Sequence, residues 1–93
     1  MGRMSRPRPE RLGEKLLQIR TALELSQNGM LRLLGLDENL FRSAISGYEL
    51  ETREPPLPVL LKYARIAGVC LDALVDDELD LPAKLPSKPK HWN

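Results

Sequence analysis

The sequence predicts an all-α domain of five short helices, and three observations carry that reading. Apolar residues recur at offsets of three and four through most of residues 10–75, the period of one helix face. Residues that start or stop helices, such as Ser26, Gly35 and Gly68, fall between those stretches. No sustained alternation of apolar and polar residues with β-branched enrichment, the signature of a strand, occurs. Proline-bearing ends flank the helical part. The chain therefore divides into a flexible basic arm over 1–9, a helical domain over 10–78 and an extended, Pro-rich tail over 79–93.

The first helix is expected over Glu10–Leu23, where Leu12, Leu16, Ile19 and Leu23 form one apolar face and Leu17 widens it. Pro9 suits its first turn, where a missing N–H costs nothing. Ser26 is a good N-cap for a second helix over Gln27–Leu34, presenting Met30, Leu33 and Leu34 inward. Gly35 stands where helices commonly end with positive φ. Asp37, Glu38 and Asn39 offer caps for a third helix reaching about Tyr48, with Leu40 or Phe41, Ala44, Ile45 and Tyr48 inward. Pro55, Pro56 and Pro58 make Glu51–Pro58 a loop. A fourth helix follows over Val59–Ala67, burying Leu60, Leu61, Ala64 and Ala67 and stopping at Gly68, and a short fifth over Leu71–Val75. Pro82, Pro86 and Pro89 bar a long helix beyond. The expected core is Leu16, Ile19, Leu23, Met30, Leu33, Leu34, Ile45, Leu61, Ala64, Leu71 and Leu74.

The chain has 93 residues, 42% hydrophobic and 29% charged, the balance of one ordinary soluble globular domain. Its one cysteine, Cys70, allows no intrachain disulfide and reads as a small buried apolar residue. No apolar run approaches the roughly 20 residues of a membrane helix, and the basic start leads into no signal-peptide core, so a cytoplasmic protein with no membrane partner is expected. Net charge is only +1, but it is unevenly spread. Arg3, Arg6, Arg8, Arg11, Lys15 and Arg20 gather near the start; Asp76, Asp77, Glu78 and Asp80 follow the fifth helix and read as a solvated helix end. A lone His91 has no partners at metal spacing, and no phosphate loop or supported acid/base pair occurs, so neither an enzyme, a metal nor a cofactor is expected. Trp92 suits docking to a partner.

The segment Ser26–Glu49 carries a resemblance. Leu25-Ser26-Gln27, then Leu33-Leu34-Gly35, then Ile45-Ser46-Gly47-Tyr48-Glu49, followed by the run Leu60–Leu74, resemble the lambda-repressor/Cro-like (XRE-type) helix-turn-helix family over about Leu12–Val75. The resemblance implies a five-helix DNA-binding domain serving as a small transcriptional regulator or repressor. Its partner would be double-stranded DNA. In that family the glutamine matching Gln27 grips a phosphate at a helix N-terminus, and the third helix lies in the major groove, where base edges carry a readable code. The outward residues would be Asn39, Arg42, Ser43, Ser46 and Gly47. Arg42 is the candidate for bidentate contact with guanine, and Arg53, in the following loop, is placed for phosphate. Glu49 matches a family acid that ties the recognition helix to that loop.

The sequence departs from the family at three places. The link between the second and third helices is about four residues longer, over Leu36–Asn39. Leu31 replaces a small alanine where the helices cross, and Cys70 replaces a serine cap. Gly47 is costly inside a helix, by roughly 1 kcal/mol, so an early helix end is expected there. A reader this small is expected to act as a homodimer on a palindromic operator, with Leu79, Leu81 and Leu85 as contacts. The alternative is an antitoxin-type interaction module whose tail, Leu79–Asn93, masks a toxin or other protein partner.

Overall fold

The computed structural model describes residues 9–37, 42–83 and 85. Five helices follow in order: α1 Leu12–Ala22, α2 Gln27–Leu33, α3 Arg42–Leu50, α4 Leu57–Ala67 and α5 Leu71–Val75. Among the described residues there is no strand, and no helix is long and apolar enough to cross a membrane. Helix α1 packs against α3, α4 and α5, and α2 packs against α3.

Distinct capping chemistry marks the starts of α1, α2 and α4. α1 begins at Leu12 rather than Glu10, and Arg11, at its N-cap position, provides no side-chain cap. Two distant carboxylates substitute. Asp77 accepts from the backbone N–H of Glu10 (2.9 Å) and Arg11 (3.0 Å), and Glu51 accepts from that of Gly13 (3.3 Å). Pro9 therefore lies before the helix, not in its first turn. Ser26 caps α2 as expected, accepting from Gly29 N–H at 3.0 Å. α4 begins at Leu57, two residues before the expected start, with Pro58 in its first turn, where proline forfeits no hydrogen bond.

The helices stop by a shared device. After α1 to α4 one residue takes positive φ: Glu24 (59°), Gly35 (74°), Glu51 (63°) and Gly68 (72°). Only the two glycines were recognisable as stops. α5 is capped by Cys70 without a side-chain bond, and Cys70 is exposed, against the buried role expected for it.

The core joins all five helices: Leu16, Ile19, Met30, Leu34, Ala44, Ile45, Tyr63 and Leu74 are almost wholly buried. Leu33 and Leu71 are only partly buried, and Leu17 and Leu61 are exposed. On α4 the inward face is Val59, Leu60, Tyr63, Ala64, Ile66 and Ala67, one residue round from the expected Leu61. Leu31 is buried, so a leucine is accommodated at the α2 position where alanine was the family expectation.

Beyond α5 the chain packs back on itself. Leu81 is buried in the core and Leu85 packs partly against it, while Pro82, Ala83 and Leu85 line a groove with Leu17, Gln18 and Thr21 of α1. Two of the three leucines expected to make dimer or partner contacts are thus committed within the chain; Leu79 alone is exposed. Arg11 donates to Asp77 O (2.9 Å) and Asp80 Oδ1 (2.7 Å), so Asp77 and Asp80 form a clasp with α1 rather than a solvated helix end. Beneath it Lys15, fully buried, donates to Ala73 O (2.8 Å) and Asp76 O (2.9 Å), satisfying the carbonyls that end α5. His91, Trp92, Leu40, Phe41 and all of the arm before Pro9 lie outside the described residues.

Candidate nucleic-acid interface

Glu49, near the end of α3, organises the segment that carries the resemblance. Its carboxylate takes a bidentate contact from Arg20 of α1, at 2.6 Å from Nε and 3.0 Å from Nη2. The same Arg20 donates to Leu25 O at 3.0 Å, holding the α1–α2 turn. Gln27, the first residue of α2, donates its side-chain amide to Glu49 Oε1 at 3.4 Å. Glu49 thus clips α3 to α1 and α2, not to the loop after α3 as the sequence suggested. The Glu49 hydrogen bond is the main reason the Arg20 guanidinium is held charged above its ordinary value.

This arrangement orients Gln27. One amide hydrogen points to Glu49, which leaves the other, and the half-buried side chain is held by an acid that is itself held. α2 has only seven residues, and Ser26 already occupies Gly29 N–H, so any anion grip here depends on the Gln27 side chain more than on the helix dipole.

On α3, Arg42 and Ser43 are exposed, Ser46 is half-buried and Leu50 is 71% exposed. Residues 43, 46 and 50 fall on one helix face by spacing. Leu50 went unnoticed in the sequence because it lies past the expected end of the helix near Tyr48. Asn39 lies outside the described residues.

Gly47 differs from expectation in two ways. The helix runs through it to Leu50, so it does not mark an early end. It is also buried, not outward. A Cβ there would come within 3.0 Å of Arg53 Cβ and 3.4 Å of Thr52 Oγ1. The loop after α3 folds back onto Gly47: Thr52 and Arg53 N–H both donate to its carbonyl, at 3.0 and 3.2 Å. Glycine suits that close internal approach, since a Cβ there would press on the returning loop, and the loop seats the exposed Arg53 against the flank of α3. Arg53 also lies close enough to the buried Tyr48 to offset part of the rise that burial gives its phenol pKa. Pro9 lines a shallow cleft with Arg53, Glu54 and Pro55, so the arm joins the domain beside this loop.

The cations sort by partner. Arg11, Lys15 and Arg20, half of the basic set near the start of the chain, are engaged within the fold, which weakens the expected positive end. Arg32, Arg42, Arg53, Lys62 and Arg65 have no carboxylate partner among the described residues, and all lie between α2 and α4. The chain matches no known protein family, no characterised protein and no solved structure.

Proposed function

We propose that this chain binds double-stranded DNA sequence-specifically through α2 and α3, as a lambda-repressor/Cro-like (XRE-type) transcriptional regulator acting as a homodimer on a palindromic operator. One observation carries the reading. On and just after α3, Arg42 and Arg53 are exposed cations without a carboxylate partner among the described residues, and α3 also bears the hydroxyls of Ser43 and Ser46. A protein reading DNA needs this combination: unpaired positive charge for phosphates and hydrogen-bonding side chains for base edges.

The roles follow from chemistry. Arg42 presents a planar fork that suits guanine O6 and N7. Ser43 and Ser46 offer hydroxyls, and Leu50 offers an apolar contact for a thymine methyl. Gln27 and Arg53 hold phosphates, the first oriented by Glu49 and the second by its seat on Gly47.

Binding measured against matched and mismatched sites tests the assignment. Arg42→Ala is expected to narrow the gap between sites by about 1–3 kcal/mol, while Gln27→Ala weakens all sequences about equally. An unchanged footprint in Arg42→Ala would show that α3 does not read bases in this register.

A further inference from the structure

A second charged surface lies away from the interface just described. Arg32, Leu33, Leu34 and Gly35, at the C-terminal end of α2, face Lys62, Arg65 and Ile66 of α4 across an open groove of about 370 Å³. Gln27 lies at the opposite end of α2, about 10 Å away along a seven-residue helix. The groove has an apolar floor and a cationic rim, and no acidic residue lines it. Lys62 donates to Leu34 O at 3.0 Å and closes the end of α2. Arg32 and Arg65 are exposed and have no carboxylate partner among the described residues.

The complementary surface is on the same chain. Asp72, Asp76 and Glu78 are exposed beside Leu79, which is 43% exposed. Within its own molecule this acidic, leucine-bearing stretch is held against the start of α1, not in the groove. Asp77 is bonded to the backbone of Glu10 and Arg11, and Asp80 to the Arg11 guanidinium. With the stretch so held, a second molecule is the natural source of a complementary acidic surface.

We propose that the α2–α4 groove docks the acidic segment 72–80 of a second copy of this chain, with Arg32 and Arg65 facing Asp72 and Glu78, and Leu79 on the apolar floor. The contact does not depend on DNA. Related by a two-fold axis it forms twice, which supplies a dimer without the tail leucines that the fold has buried.

Sedimentation equilibrium of the full chain, without DNA, tests this. Wild type is expected to self-associate at about 0.5 mM in low salt and to weaken about tenfold or more by ~0.3 M salt, as exposed charge pairs are screened. The pair Arg32→Glu/Arg65→Glu and the pair Asp72→Lys/Glu78→Lys are each expected to be monomeric, and an equimolar mixture of the two to associate again. Circular dichroism checks that both stay folded, and the wild-type salt series stands alone if either does not. A monomeric wild type, or variants that associate as wild type does, overturns the proposal. So does a monomeric wild type in which Arg32→Glu/Arg65→Glu weakens DNA binding, which would assign the groove to phosphate.

Discussion

Glu49 joins three helices through one carboxylate whose side chain is only 5% exposed. Removing it would leave the Arg20 guanidinium, 19% exposed, without its counter-charge. Breaking one side of such a buried pair costs about 3 kcal/mol, so Glu49→Ala is expected to lose that much in urea unfolding. Tyr63 offers the opposite case. Its hydroxyl is buried with no hydrogen-bond partner among the described residues, and burial pushes its phenol pKa well up. Tyr63→Phe removes an unsatisfied group and keeps the ring, so it is expected to be neutral or to stabilise by up to about 1 kcal/mol. A large loss in Tyr63→Phe would mean that the hydroxyl has a partner. The sequence marked Glu49 as structural but missed its partners, because Arg20 and Glu49 are 29 residues apart and no local pattern links them. Lys15 was hidden for the same reason: counted among surface bases, it is a buried donor to α5.

Helix ends follow the same division between local and distant causes. Ser26, Gly35 and Gly68 were legible because their effect depends on their own backbone or the next turn. Glu24 and Glu51 were not, because a non-glycine residue in the left-handed region gives no compositional sign. They differ in consequence. Glu24 is exposed, so Glu24→Gly relieves left-handed strain and is expected to stabilise by up to about 1 kcal/mol in thermal unfolding. Glu51 also caps α1 through Gly13 N–H, so Glu51→Gly is expected to show no such gain. Asp77 makes the α1 cap depend on pH. Hydrogen bonds from Glu10 and Arg11 N–H hold its pKa below the ordinary ~3.9. Its contribution is therefore present above pH ~4 and lost as pH falls through the lowered value. Acid unfolding of Asp77→Asn is expected to be less steep below pH ~4 than that of wild type, with lower stability at neutral pH. Identical acid limbs would exclude this role.

For the whole molecule, the helical class and element order were legible because helical periodicity is repeated along the chain and each period is local. The exposed face of α3 was legible in part: Arg42 and Ser43 are outward, while Gly47 is covered by a loop whose return the sequence did not show. The charge distribution was misleading, since half of the early cations neutralise or cap other parts of the fold. Under the proposed function, further positive charge for phosphates is expected from Arg3, Arg6 and Arg8, which precede Pro9, a residue lining the cleft beside Arg53. Deleting residues 1–8 is expected to lower the slope of log affinity against log salt by about 2–3, since each neutralised phosphate contributes about 0.9. An unchanged slope would place the arm off the DNA. The most direct test of the central claim is selection of bound duplexes from a random DNA pool by the full chain. A single enriched motif with two-fold symmetry, lost in Arg42→Ala, is the result expected of a DNA reader built on α2 and α3. Recovery of no enriched sequence, with affinity flat in salt, would contradict it.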